Sequence, residues 1–174
     1  MQISSLHPII NHFSICLVVL GILVDYFAFL TNQEPARRFA WLALRLGLCF
    51  MAVSILTGLI AETNVAIPPA VHDLAISHKI TSFIALAAVA VAVLLRFSAR
   101  DKFFAPERAG LRGAYLALTA VSLVLTIASV NLGMSLVYKH GVNVSAYESI
   151  TAPPPGNAIP MAPAPSASPD SLSH

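Results

Sequence analysis

His7-Pro8-Ile9-Ile10-Asn11-His12-Phe13 opens an apolar run that continues to Leu30, with Asp25 as its one acid. A helix needs about 20 mostly apolar residues to cross the hydrocarbon of a bilayer. Pro8 suits its first turn, where a missing N–H costs nothing. Three similar runs follow: Ala40–Ala61, Ile80–Leu95 with an extension at its N-terminal side, and Ala114–Tyr138. The pattern predicts an all-α integral membrane protein, a four-helix up-down bundle over residues 1–144. From Thr151 the chain turns to Pro, Ala and Ser, a composition that buries too little apolar surface to fold alone. Residues 145–174 therefore read as a tail that is either disordered or ordered on a partner.

Composition points the same way. Hydrophobic residues make up 57% of the chain and charged ones 10%, against about 25% charged in a soluble domain. Mean hydropathy is +0.78. A net charge of +2 gives no footprint for nucleic acid. The first run has no basic leader and is followed by Thr31-Asn32, so it is expected to be a retained helix, not a cleaved signal. Cys16 and Cys49 sit inside apolar runs and read as small core residues without a disulfide.

Charge sets the expected orientation. Of the ten Lys and Arg residues, Arg37, Arg38, Arg45, Arg96, Arg100, Lys102, Arg108 and Arg112 belong to the first and third connections and their flanks. The positive-inside rule places those connections in the cytoplasm. Both termini are then extracytoplasmic, on the periplasmic side of a bacterial inner membrane.

That orientation gathers His7, His12, His72, His78 and His140 at the outer ends of the helices. Counted back from Thr31 and Arg96, at about 1.5 Å per residue, His12 and His78 fall at nearly one depth. His7 and His72 fall roughly 8 Å further out. In an up-down bundle, helices 1 and 3 are diagonal neighbours about 13 Å apart, given adjacent helices about 8–10 Å apart. Such a pair can hold a flat macrocycle whose iron takes an imidazole on each face. Polar groups at membrane depth are expensive and usually functional. His12 and His78 are accordingly the best axial pair, His7 and His140 supporting groups or ligands of a second haem, and His72 the weakest candidate. Each histidine has a plainer reading as a headgroup-level side chain touching water.

Other residues carry structural expectations. Asp25 should pair with Arg45 or Arg112. Glu62 ends helix 2 in solvent, or supports the histidines. Gly21, Gly47, Gly58 and Gly133 allow close helix contact or flank a porphyrin. Phe103-Phe104 and Tyr138 suit interfacial anchors. No strict internal repeat is evident beyond a histidine at the entrance of each odd helix. Gly-rich phosphate loops and Cys-x-x-Cys-His are absent, and no polar path down the helices is apparent.

The His7-Pro8 and His12-Phe13 opening, the lone His78 opening helix 3, and Leu136-Val137-Tyr138-Lys139-His140-Gly141-Val142 closing helix 4 resemble the DUF2231 family of four-helix predicted bacterial membrane proteins. The likeness spans about residues 5–144, and the closing segment is its most specific part. It implies that His7, His12, His78 and His140 belong to the family pattern, and that His72 is particular to this chain. Met134-Ser135 departs from it, standing where the family is richer in glycine.

The leading functional expectation is a membrane protein that binds haem b, one or two, and passes electrons near the periplasmic face. It would serve as a subunit of a larger redox or photosynthetic complex, with a c-type cytochrome among its partners. No catalytic residue set is expected. The alternatives are a cofactor-free structural subunit whose tail straps a neighbour, and a periplasmic-side protein binding copper or zinc through its imidazoles.

Overall fold

The computed structural model describes residues 6–64, 67–99, 103 and 105–142; the expected tail lies outside them. Four helices account for nearly all of these: α1 Leu6–Thr31, α2 Glu34–Asn64, α3 His72–Ala99 and α4 Ala109–Met134. Each is long and apolar enough to cross a membrane. Only Asn32 and Gln33 join α1 to α2, and Asn32 takes the turn at φ 57°, which asparagine tolerates better than most residues. A 3₁₀ turn at Pro69–Val71 leads into α3. The last helix continues as a π turn, Ser135–Lys139, and stops at Gly141, whose φ of 64° suits a glycine C-terminal cap.

The helices form a ring in which α1 packs on α2, α2 on α3, α3 on α4 and α4 on α1. Helices α1 and α3 are therefore diagonal and parallel. Large apolar side chains such as Leu23, Phe27, Leu56, Leu94 and Val124 point outward, while the centre mixes Ile22, Leu44, Phe103 and Tyr115 with small and polar residues such as Ala28, Ala40, Ser14 and Ser122. That pattern suits lipid: tails reward no burial of Leu, so helices associate through close backbone approach and hydrogen bonds. Gly21 and Gly47 provide the approach between α1 and α2. A Cβ at Gly47 would lie 2.7 Å from Val18 Cγ2 and 3.0 Å from its backbone nitrogen. Cys16 and Cys49 are free thiols on the exposed faces, contrary to the core placement expected of them.

Burial exposes an internal repeat that residue identity conceals. Shifting α1 by 71 positions lays Ser14, Val18, Gly21, Asp25 and Ala28 on Ala85, Val89, Ala92, Arg96 and Ala99, all buried in both copies. Shifting α2 by 75 lays Ala40, Leu44, Gly47, Met51, Ser54 and Ala61 on Tyr115, Thr119, Ser122, Thr126, Ser129 and Leu136, again all buried. The bundle is thus two copies of one helical hairpin around an approximate two-fold axis. The copies share positions facing the axis, not side-chain chemistry, so the repeat is invisible to a search for matching letters.

Two equivalent positions carry opposite charges and meet on the axis. Arg96 Nη1 donates to both oxygens of Asp25 at 2.7 Å, the Tyr115 hydroxyl donates to Asp25 Oδ2 at 2.6 Å, and Arg96 Nη2 donates to the Arg37 carbonyl at 3.2 Å. Asp25 therefore pairs across the diagonal with Arg96, not with Arg45 or Arg112. Phe103 is fully buried beneath this cluster, 5.2 Å from the Tyr115 ring, and is a core residue instead of the expected interfacial anchor. Phe104 lies outside the described residues.

Candidate functional site

At the opposite end the two-fold relation brings together histidines. His7 opens α1 and His78 lies 71 positions later, two turns into α3. His7 Nδ1 is 2.9 Å from the carbonyl oxygen of Ser54, and His78 Nδ1 is 2.9 Å from that of Ser129, the counterpart of Ser54. A carbonyl only accepts, so each Nδ1 carries the proton. In the neutral ring Nε2 is then left with its lone pair. One turn beyond each serine stands a glycine. A Cβ on Gly58 would come within 2.9 Å of His7 Cε1, and one on Gly133 within 2.9 Å of His78 Cε1. Each imidazole thus lies over a helix backbone that only glycine leaves bare.

Polar support is repeated as well. Asn11, a turn after His7, accepts a hydrogen bond from Ser54 Oγ at 3.2 Å. Its counterpart Ser82 lies 2.6 Å from Ser129 Oγ and donates to the His78 carbonyl at 2.7 Å. Thr57 Oγ1 lies 3.4 Å from His7 Nδ1 and donates to the same Ser54 carbonyl at 2.9 Å.

Both imidazoles line one cavity of about 320 Å³, at the small end of the range for ligand sites. Its walls include Ile15, Met51, Ile55, Val130 and Leu136 beside the polar groups, and its rim reaches Glu62, Lys79 and Tyr138. Lys79 Nζ closes on Glu62 at 2.6 and 2.9 Å, so Glu62 ties the end of α2 to the start of α3 at this rim.

The remaining histidines stand differently. His12 borders the cavity but is exposed, and its Nδ1 turns back to the Pro8 carbonyl of its own helix at 2.6 Å. His72 and His140 are exposed and do not line the cavity. The shared depth of His12 and His78 expected from counts to Thr31 and Arg96 does not hold, because Thr31 is not the mate of Arg96. Asp25 is, and measured from that ion pair His7 is level with His78. Among the described residues no three His, Cys, Asp or Glu side chains converge as a metal-ion set.

Ser54, Ser129, Asn11 and Ser82 escaped the sequence reading. For the two serines of the even helices the signal is Ser-x-x-x-Gly, present as Ser54–Gly58 and Ser129–Gly133 at the histidine-bearing end of the bundle. From the cavity a row of buried side chains, Ser129, Thr126, Ser122, Thr119 and Tyr115, runs down α4 to Asp25. It is the polar face that the apolar average of this helix hides. Three of these hydroxyls donate to their own helix: Thr126 to the Ser122 carbonyl, Ser122 to Leu118 and Thr119 to Leu116.

A family model described as "Predicted membrane protein (DUF2231)" matches residues 4–146 and so takes in all four helices. The chain belongs to the DUF2231 family. No curated protein and no solved structure matches it. For this DUF2231 member the symmetric histidine cavity is therefore the most direct guide to chemistry.

Proposed function

We propose that this protein binds one haem b in the cavity, with His7 and His78 as axial ligands, and carries electrons. The observation that supports this reading is the equivalence of the two imidazoles. They come from diagonal helices, each held by its Nδ1 proton on a backbone carbonyl, which orients a ligating histidine and favours metal binding through the other nitrogen. Among the described residues no third ligating side chain converges with these two imidazoles, and a structural zinc takes four protein ligands. A haem brings its own four nitrogens and asks the protein for two more, one on each face. The approximate two-fold axis supplies equivalent donors of that kind. Gly58 and Gly133 leave room for the rings, and the mostly apolar wall suits a porphyrin.

When bound, a haem with both axial positions filled supplies reversible one-electron chemistry and leaves no open position for substrate. The protein's share is to fix the two rings, to keep water from them, and to hold the site within reach of the membrane surface. His12 at the rim is placed for a polar edge of the ligand, not for the iron. His140 and His72 stand apart, which favours one haem over two. The concentration of Lys and Arg at the far end supports insertion in a bacterial inner membrane with this cavity on the periplasmic side. There a c-type cytochrome or another subunit of a redox complex could exchange electrons with it.

The test is a reduced-minus-oxidised visible spectrum of the purified chain, followed by substitution. Wild type is expected to show the spectrum of a six-coordinate b-type haem. His7→Ala and His78→Ala should each lose haem or turn it five-coordinate, whereas His12→Ala keeps it. A wild-type protein that takes up no haem when haem is supplied refutes the proposal. Loss in His12→Ala with retention in His7→Ala would return the axial role to His12.

A further inference from the structure

A basic stretch lies at the opposite end of the bundle, on the exposed side of α2. Arg45 is eleven residues into that helix, roughly 16 Å along it, and is exposed between Leu42 and Leu46, both also exposed. A charged side chain on a lipid-facing surface is costly unless it reaches the headgroup layer or a counter-charge. Helical side chains lean toward the N-terminus of their helix, and Arg45 does so: its guanidinium carbon lies 5.1 Å from the centre of the Trp41 ring, one turn nearer the basic end.

The two arginines that meet Trp41 differ in one respect. Arg96, 5.0 Å from the same ring, has its charge matched by Asp25. Arg45 has no carboxylate within 4.0 Å among the described residues. Arg38 continues the same stripe toward the helix start, highly exposed and bonded to Glu34 at 3.1 Å. From Glu34 to Arg45 the helix carries three arginines against one glutamate. Among the described residues, Arg45 is therefore an arginine that lies against an indole with no carboxylate beside it.

We propose that Arg45, on the Trp41 platform and assisted by Arg38, binds the phosphodiester headgroup of an anionic phospholipid. The guanidinium fork matches a phosphate's oxygens two at a time, the indole holds the fork flat, and the exposed Leu42 and Leu46 accept the acyl chains. Basic surfaces on transmembrane helices recognise acidic lipids in this way. The site shares no residue with the histidine cavity, so it stands whether or not haem binds there.

Trp41 is the chain's single tryptophan, which makes it a built-in reporter. The full chain is reconstituted into phosphatidylcholine vesicles containing a tenth of either brominated phosphatidylglycerol or brominated phosphatidylcholine, and quenching of Trp41 is compared. Brominated phosphatidylglycerol is expected to quench at least twofold more strongly at equal mole fraction. Arg45→Gln should bring the ratio to one while helical circular dichroism is unchanged, and Arg45→Lys should leave an intermediate preference. Adding inorganic phosphate should not alter the wild-type ratio. Equal quenching in wild type, an unchanged preference in Arg45→Gln, or loss of the preference to free phosphate would each overturn the assignment.

Discussion

Because Asp25 and Arg96 occupy equivalent positions of the repeat, exchanging them is a sharper test of the architecture than deleting either. The pair is buried, bidentate at 2.7 Å, and backed by Tyr115. Asp25→Ala or Arg96→Ala leaves a lone charge in the centre of the bundle, which costs about 3–5 kcal/mol. For a chain of this size that corresponds to a fall in melting temperature of roughly 6–20 °C, at about 2–4 °C per kcal/mol. Asp25→Arg alone places two guanidiniums in one pocket and should be at least as damaging. The exchange Asp25→Arg with Arg96→Asp restores opposite charges across the axis but breaks what is not symmetric. Tyr115 has only Ala40 as its counterpart, so its charge-assisted bond to the carboxylate is lost, about 1.5–3 kcal/mol. The Arg96 contact with Trp41 goes too, about 0.5–2 kcal/mol. The exchanged protein should therefore melt between wild type and the charge-reversed single variant. The assay is thermal loss of the monodisperse peak in detergent, read by size exclusion. If the exchange is no better than Asp25→Arg, the two positions are not equivalent and the two-fold description of the bundle fails.

Further predictions concern single contacts. Gly58→Ala and Gly133→Ala each drive a methyl to within 2.9 Å of an imidazole carbon; on the proposed function they should cut uptake of supplied haem at least tenfold while the bundle stays folded, and equal uptake by spectroscopy would show that the rings are free to move away. Gly47→Ala meets the Val18 backbone nitrogen at 3.0 Å as well as the short Val18 Cγ2 at 2.7 Å, so α1 itself must shift and the change should cost about 1–3 kcal/mol in the same melting assay. Tyr115→Phe keeps the aromatic packing but removes the donor to Asp25, and should cost about 1.5–3 kcal/mol; a neutral result would mean that water replaces the hydroxyl. Lys79→Ala releases the tie to Glu62 across exposed side chains and should change stability by less than about 1 kcal/mol.

Helices α2 and α4 start at Glu34 and Ala109, ahead of the apolar runs at Ala40 and Ala114, but the four spans, the Gly141 cap and the gathering of basic residues at one end were determined by the sequence alone. Each depends on neighbours within about 20 residues: hydropathy averaged over a span, proline at a first turn, glycine past a last one. The family resemblance lay in short motifs of the same local kind. Which histidines face each other was decided only by the tertiary structure. Depth along a helix needs a reference mark on the partner helix, and the true mark for Arg96 was Asp25, a contact 71 residues away in the chain. The repeat stayed hidden for a related reason. Lipid rewards small or polar groups facing inward, so Asp and Arg, Gly and Ser, or Met and Thr serve equally well at paired positions. Their equivalence appears only when burial and the two histidine-to-carbonyl bonds are seen around one axis.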